Sequence, residues 1–212
     1  DGWSGSDTME GGSGNDTYYV NIAGDVVIET NADSVTGGVD TVYTMLSDYT
    51  LGANVENGVL YTSSAVNLTG NSLNNVLTSN AGNNVMDGSA GIDTVSYATA
   101  TSSVTATLAS TASQNTGGSG LDTLINIENL TGSAYNDSLT GSSADNVLTG
   151  GSGDDVLDGL TGNDTLDGGA GLDTASYANA SAAVNVLLYS TAAPQTTGGA
   201  GSDTLLNIEN LT

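Results

Sequence analysis

Aspartate residues recur at one fixed place in a glycine-rich nonapeptide, and their spacing suits metal chemistry. The clearest copy is Gly150 to Asp158, G-G-S-G-D-D-V-L-D, and two further copies follow it without a gap. Its sixth residue, Asp155, brings a hard anionic oxygen to a tight turn. Glycine at the first, second and fourth places is predicted to take a positive φ and to aim the backbone carbonyls inward. Carboxylate and carbonyl oxygens together are the ligands that Ca²⁺ prefers.

Each turn is followed by a short strand, such as Val156-Leu157-Asp158, in which only the middle residue faces the core. Two turns and two strands close a flat coil of 18 residues, and such coils stack as a parallel β-roll. We therefore predict an all-β fold, a β-solenoid of 18-residue coils with wider spacer coils. Turns on one edge recur at every second repeat, so a cage of oxygens lies between two stacked turns.

Six segments with different repeat content follow one another, and we expect them to form one continuous elongated solenoid. They are a short run at 1–19, irregular spacer coils at 20–69, a run with Asn substitutions at 70–96, spacer coils with one repeat at 97–131, a five-copy run at 132–176, and spacer coils with a final repeat at 177–212. Alternating apolar residues at 104–108 and at 184–188 predict half-buried strands within the spacer coils.

The charge of the chain is entirely acidic. It has 24 Asp and Glu residues, no Lys, Arg or His, and a formal net charge of -24. Self-repulsion should oppose the compact metal-free state, so folding is expected to depend on Ca²⁺. The absence of Cys excludes disulfides and thiolate sites, and the absence of His excludes an imidazole base. Without basic residues we expect no nucleic-acid binding, and no apolar run is long enough for membrane insertion.

The nonapeptide, in about ten copies, resembles the RTX, or hemolysin-type, calcium-binding repeat family of secreted bacterial proteins. The segments D-T-V-S-Y and N-I-E-N-L-T are similar to spacers between repeat runs in that family. The resemblance implies several bound Ca²⁺ ions and export by a type I system. It also implies an extracellular or cell-surface location on a Gram-negative bacterium, with folding outside the cell where Ca²⁺ is abundant.

The resemblance also implies calcium ligands position by position. In the five-copy run Asp137, Asp155 and Asp173 share an edge, so neighbouring pairs should bracket the best sites. The carbonyls expected to complete them belong to Gly150, Ser152, Gly153, Gly168, Ala170 and Gly171. On the opposite edge Asp164 faces Asn146, and elsewhere Asn75 faces Asp93, so these sites should be weaker. Four further aspartates lack a tandem partner and fit a solvated turn equally well: Asp7, Asp16, Asp122 and Asp203.

Catalysis is not expected, although a carboxylate pair can hydrolyse glycosides, because these carboxylates follow a turn period. The favoured function is an extracellular structural element, such as a rod, a filament or a surface-layer segment. The alternative is a calcium-dependent secretion and folding module of an exported enzyme, toxin or adhesin. Ice binding is least favoured, because Ser152, Thr161 and Ala170 break the threonine row that it needs. The sequence starts and stops within repeats, which favours a longer array or copies stacked end to end.

Overall fold

A computed structural model of the chain describes residues 2–31, 36–188 and 193–212. Within these residues the fold is all-β, as predicted, with 22 strands and no helix. Consequently, this part of the chain offers no helix that could cross a membrane. In chain order the strands are β1 (Thr8–Glu10), β2 (Thr17–Val20), β3 (Val26–Ile28), β4 (Thr41–Thr44), β5 (Asp48–Thr50), β6 (Asn57–Leu60), β7 (Asn67–Thr69), β8 (Val76–Thr78), β9 (Val85–Asp87), β10 (Thr94–Ser96), β11 (Thr105–Thr107), β12 (Gln114–Gly117), β13 (Gly120–Ile125), β14 (Asn129–Thr131), β15 (Ser138–Thr140), β16 (Val147–Ser152), β17 (Val156–Asp158), β18 (Thr165–Ala170), β19 (Thr174–Ala175), β20 (Gln195–Gly198), β21 (Gly201–Leu206) and β22 (Asn210–Leu211).

Successive strands of the repeats alternate between one long sheet and a series of shorter ones. The long sheet has ten strands in the order β2-β4-β6-β8-β10-β14-β16-β18-β21-β20. The shorter sheets are β1-β3, β12-β13-β9-β7-β5 and β11-β15-β17-β19-β22. The long sheet thus takes strands from every segment of the sequence. Its nine stacked parallel strands, about 4.8 Å apart, give a solenoid axis of roughly 40 Å.

The parallel pairing follows the predicted coil length wherever two nonapeptides stand in tandem. Val156 of β17 pairs with Thr174 of β19, which lies 18 residues later. Wider coils keep the same strand register, because Thr94 of β10 pairs with Asn129 of β14. The extra residues of this coil contain β11 and the hairpin β12–β13, and the strand order of the long sheet is kept.

The core consists of a row of apolar side chains, one from the middle of each strand. In β17 the Leu157 side chain is fully buried, whereas the preceding Val156 is 41% exposed. Equivalent fully buried residues in neighbouring strands are Leu77, Met86, Val95, Leu139, Leu148, Leu166 and Ala175. Burying one leucine contributes about 1.5–3 kcal/mol, so the stability of the roll is distributed along its whole length.

The two spacer segments with alternating apolar residues, 104–108 and 184–188, were both predicted to form strands, and only the first does so. Residues 104–108 contain the predicted strand as β11, which pairs with β15 of the following coil. The prediction for 184–188 was wrong, because residues 183–187 form no strand. They belong to the outermost coil, where no described strand pairs with them. Each spacer also carries an antiparallel hairpin, β12–β13 and β20–β21, whose second strand rejoins the parallel stack.

Candidate metal centre

The residues at the sixth place of the repeats stack in columns. Each lies directly before a strand or, at Asp122 and Asp203, inside one at the equivalent register, so the parallel pairing places successive members one above another. The long-sheet column consists of Asp16, Asp40, Glu56, Asn75, Asp93, Glu128, Asn146, Asp164 and Asp203. The short-sheet columns consist of Asp7 with Asp25, Asn84 with Asp122, and Asp137, Asp155, Asp173 and Glu209.

A hydrogen bond from backbone to side chain joins neighbouring members of a column. The N–H of Asp137 donates to Oδ1 of Asp155 at 2.7 Å, and the N–H of Asp155 donates to Oδ1 of Asp173 at 2.8 Å. The sequence predicted a shared edge for these three residues, and the structure brings them together. Because the three side chains are almost completely buried, their like charges are fixed one above another away from water.

The remaining predicted aspartates each meet a residue of a neighbouring coil by the same contact. These contacts, from a backbone N–H to a side-chain Oδ1, are Asn146 to Asp164 at 2.9 Å, Asn75 to Asp93 at 2.7 Å, Asn84 to Asp122 at 2.9 Å, Asp164 to Asp203 at 3.0 Å, Asp16 to Asp40 at 2.8 Å and Asp7 to Asp25 at 3.1 Å. Aspartates that have no partner in a tandem repeat therefore form this hydrogen bond with a residue of a neighbouring coil of a different length.

The second carboxylate oxygen is where a metal ion fits. Oδ2 is buried and has no hydrogen-bond partner among the described residues in Asp93, Asp155, Asp164 and Asp173. A Cβ atom added to Gly150 would clash with Oδ2 of Asp155 and with the carbonyl oxygen of Gly168. An anionic and a neutral oxygen thus converge on one cradle, and hard oxygens of this kind suit Ca²⁺. Asp155 and Gly168 would hold the ion, which would supply the positive charge that the sequence lacks.

Asp137 differs from the other members of its column. The N–H and the hydroxyl of Ser133 donate to its two carboxylate oxygens. An added Cβ at Gly132 would nevertheless meet Oδ2 of Asp137 together with the carbonyl of Gly150. The cradle is therefore repeated one coil earlier, with part of its charge already satisfied by Ser133.

Burial makes these carboxylates reluctant to ionise. It raises the pKa of Asp155 to about 6, with a further contribution from the charges of Asp137 and Asp173. Burial likewise raises the pKa of Asp164 to about 7 and that of Asp122 to about 6. The pKa values of Asp93, Asp173 and Asp203 are also raised, for the same principal reason. Stacked carboxylates without a cation are costly, because neither water nor a basic side chain compensates them.

Asparagine relieves this repulsion where it replaces Asp. The Nδ2 group of Asn146 donates to the carbonyl of Glu128 at 2.6 Å, and that of Asn84 donates to the carbonyl of Val66 at 2.8 Å. The amide oxygen of Asn146 still accepts the N–H of Ser142. An Asn repeat thus keeps the stack together by hydrogen bonds, without needing a cation at that position.

The first glycine of the repeat has a different role from the predicted one. Gly151 and Gly153 have positive φ values of 113° and 112°, as expected for the second and fourth places. Gly150 has no positive φ, and its small size is required by the carboxylate and carbonyl that approach it. The prediction of a left-handed conformation at the first place was therefore wrong.

The predicted carbonyl ligands fall into two groups. Those of Gly150 and Gly168 lie beside a column carboxylate. Ser152 and Ala170 are paired within β16 and β18, where the Ala170 carbonyl accepts the N–H of Gly153 at 2.9 Å. The carbonyl of Gly153 lies against Gly171. Calcium ligation by Ser152, Gly153, Ala170 and Gly171 stays a prediction.

Several carboxylates of the columns were missed as site residues, because they do not stand in an intact nonapeptide: Asp25, Asp40, Glu56, Glu128 and Glu209. Glu29 joins Asp16 and Asp40 in a group whose ligand atoms all lie within 4.8 Å of one another. The Glu29 carboxylate accepts the Tyr18 hydroxyl and the N–H of Gly12. Two signals in the sequence point to this group, the intact repeat turn ending at Asp16 and the shortened G-G-V-D stretch ending at Asp40.

Comparison with known families agrees with this geometry. The model of the RTX calcium-binding nonapeptide repeat, which spans four copies, matches residues 1–19, 67–95, 126–157 and 140–175. These matched residues carry RTX calcium-binding nonapeptide repeats. No curated protein gives a significant match. RTX nonapeptide repeats are calcium-binding repeats, and the matched residues include Asp137, Asp155 and Asp173, whose side chains form one of the columns.

Proposed function

We propose that this chain is an extracellular structural element, a segment of a rod, filament or surface layer, that Ca²⁺ folds and makes rigid. The observation that carries the proposal is the long-sheet column, in which acidic and amide side chains follow one another through every segment. Its carboxylates lie one above another, buried or half-buried, in a chain that has no Lys, Arg or His. A cation from the medium is the available source of compensating charge.

The repetitive architecture supports a mechanical role. Nine parallel strands of the long sheet form one continuous backbone ladder, and each of these strands packs apolar side chains into the core, so successive coils are joined in the same way along this sheet. In such a solenoid, stability is a sum of contributions from coils and their interfaces. Calcium between turns would strengthen those interfaces at regular intervals, which a rod under tension requires.

The test compares the full chain in Ca²⁺ and in chelator by circular dichroism and small-angle X-ray scattering. We expect a strand spectrum and a compact particle with Ca²⁺. Without Ca²⁺ the roll should be only marginally stable, so we expect a weaker strand signal and a radius of gyration between the compact value and the value of about 50 Å for an unfolded chain of this length. An unchanged strand spectrum and an unchanged radius in chelator would contradict the proposal.

Electron microscopy of the calcium-bound protein then separates the structural role from that of an appended folding module. Particles much longer than the roughly 40 Å axis of one chain would support assembly into rods or filaments. Discrete short particles at every protein concentration would argue against it, and would favour a calcium-dependent module that serves another domain.

A further inference from the structure

The two N-I-E-N segments, at 126–129 and 207–210, occupy the same structural place in different coils. In each, the first Asn has a positive φ, 52° at Asn126 and 50° at Asn207. The Ile that follows is buried against the core. Since Asn tolerates the left-handed conformation well, each segment makes an abrupt turn that places its Glu at the entrance to a strand.

The Glu of each segment stands in for the sixth-place Asp of a repeat. Oε2 of Glu128 accepts the N–H of Asp93 at 2.8 Å, and Oε2 of Glu209 accepts the N–H of Asp173 at 2.8 Å. Between two ordinary repeats, the backbone N–H of one sixth-place Asp donates to Oδ1 of the next, as the N–H of Asp155 does to Oδ1 of Asp173. The carboxylate columns therefore continue through coils that contain no intact turn of the repeat.

The first Asn of each segment likewise stands in for the first glycine of a repeat. An added Cβ at Gly88 would clash with the carbonyl of Asn126 and would closely approach Oδ2 of Asp93. At Gly168 an added Cβ would clash with the carbonyl of Asn207 and with the Asp173 side chain. The first Asn and the Glu of each segment are only two residues apart, whereas Gly168 and Asp173 are five residues apart. The Glu side chain is one methylene longer than that of Asp, which helps its carboxylate to reach the equivalent position.

An independent observation shows that these positions require a ligand. Asp93 and Asp173 are 1% and 0% exposed, and Oδ2 of each has no hydrogen-bond partner in the described part of the chain. Oδ2 of Asp93 and the side chain of Asp173 each lie beside a backbone carbonyl in a glycine cradle, and a second carboxylate lies on the next coil. A buried carboxylate oxygen among other acceptors stays ionised only when a cation compensates its charge, and the sequence has no basic side chain.

We propose that each N-I-E-N segment completes a calcium site of its own. One site is formed by the Asp93 carboxylate, the Asn126 carbonyl and the Glu128 carboxylate. The other is formed by the Asp173 carboxylate, the Asn207 carbonyl and the Glu209 carboxylate. With these two sites occupied, the row of bound ions continues across the junctions between repeat runs. The inference rests on the calcium-dependent folding proposed above, and it assigns ligands outside the nonapeptide.

The experiment counts ions bound to the full chain by calorimetric titration and equilibrium dialysis with Ca²⁺ alone. The variants are Glu128→Gln, Glu209→Gln and the double variant, since Gln retains an oxygen that can accept the Asp N–H. Each single change should weaken one site by roughly tenfold or more, because calcium affinity follows the charge of the ligand set. The double variant should weaken two sites. Glu10→Gln, at an exposed position of β1, is the matched control and should bind like the wild type.

Binding by the double variant with the number of ions and the affinities of the wild type would overturn this inference alone. If the wild type itself bound no Ca²⁺, the proposed function would fail instead. Circular dichroism at saturating Ca²⁺ verifies that each variant is folded. Glu209→Gln keeps the test decisive even if Glu128→Gln does not fold, because Glu209 is exposed on the outermost coil.

Discussion

The N–H of Asp155 donates to Oδ1 of Asp173 at 2.8 Å, although 18 residues separate the two in the sequence. This one contact has opposing consequences for stability. It satisfies a backbone donor of one turn, and it also fixes two carboxylates of like charge in neighbouring coils. Oδ2 of both residues is left without a donor. The metal-free roll is therefore held together by backbone hydrogen bonds and opposed by the charges that those bonds align.

Replacing Asp155 with Asn should separate these two effects. The amide oxygen can still accept the N–H of Asp137, while the buried charge is lost and an amide donor is gained, as at Asn146. We expect the metal-free protein to gain about 1 kcal/mol in unfolding free energy, the contribution of a typical hydrogen bond. The calcium affinity of the neighbouring site should fall roughly tenfold or more. Urea unfolding in chelator and calcium titration measure the two quantities.

Asp154→Asn is the matched control for that change. Asp154 is exposed, and its Oδ1 accepts the N–H of Leu172 at 3.0 Å, a contact that Asn can keep. The unfolding free energy should change by less than about 0.5 kcal/mol, and calcium affinity should be nearly unchanged. Equal effects at Asp154 and Asp155 would show that net charge, and not burial in the column, governs stability.

Acid should stabilise the metal-free fold. The pKa values of Asp155 and Asp164 are raised by burial to about 6 and about 7, whereas an unfolded Asp titrates near pH ~4. Between these values the folded state binds more protons, so its stability rises as the pH falls from 8 to 5. The gain is complete below the unfolded pKa and is lost as the pH rises through the folded values. Urea unfolding in calcium-depleted buffer across this range measures the slope.

Calcium binding should show the opposite dependence on pH. Protons and Ca²⁺ compete for the same carboxylates, so affinity should increase from pH 5 to pH 8, with proton release on binding near pH 6. Asp164→Asn should reduce both the proton release and the pH slope of metal-free stability. A calcium affinity that stays constant over this range would contradict the assignment of the buried aspartates as ligands.

Much of this architecture could be predicted from the nine-residue period. That period determines the pairing of Val156 with Thr174 and the burial of Leu157, because turn and strand lengths are the same in each tandem repeat. The partner of Asp203 could not be predicted. It is Asp164, 39 residues away. The loop between these two coils does not follow the nine-residue period, so the period does not predict which residue Asp203 contacts.

The role of Glu128 was hidden for a different reason. The two-residue spacing from Asn126 does not match the five-residue spacing of a repeat turn. The equivalence is visible only in the contacts that Asn126 and Glu128 make with Gly88 and Asp93. The burial of Asp158 could likewise not be predicted from the nonapeptide. This residue is 8% exposed, because Asn179 of the following spacer coil donates to it at 2.8 Å.

Filling the glycine cradle should remove a site without changing any charge. In Gly150→Ala the new Cβ would clash with Oδ2 of Asp155 and the carbonyl of Gly168. We expect loss of one calcium ion and a destabilisation of about 1–3 kcal/mol from overpacking. Gly52→Ala is the control, since its Cβ would meet only the Val27 carbonyl, at 3.4 Å. Calcium titration and thermal unfolding of both variants measure the difference, and wild-type stoichiometry in Gly150→Ala would disprove the cradle.

Core packing can be tested at adjacent positions of one strand. Leu157 of β17 is fully buried, so Leu157→Ala should cost about 2–5 kcal/mol. Val156 is 41% exposed, and Val156→Ala should cost less than about 1 kcal/mol, the span of strand propensities. Urea unfolding at saturating Ca²⁺ compares them. Similar losses at both positions would mean that the row of middle residues is not the core.

Restoring a carboxylate to an asparagine repeat should have the opposite effect to Asp155→Asn. In Asn146→Asp the donor to the Glu128 carbonyl disappears, and a new negative charge faces Asp164. The metal-free protein should lose at least the roughly 1 kcal/mol of that hydrogen bond, while calcium affinity at this turn should rise about tenfold with the added charged ligand. Stability in chelator and in Ca²⁺ should therefore change in opposite directions. If Asn146→Asp destabilised both states equally and left the calcium affinity unchanged, the long-sheet column would not hold an ion at Asp164, and its charge would have to be balanced by protons alone.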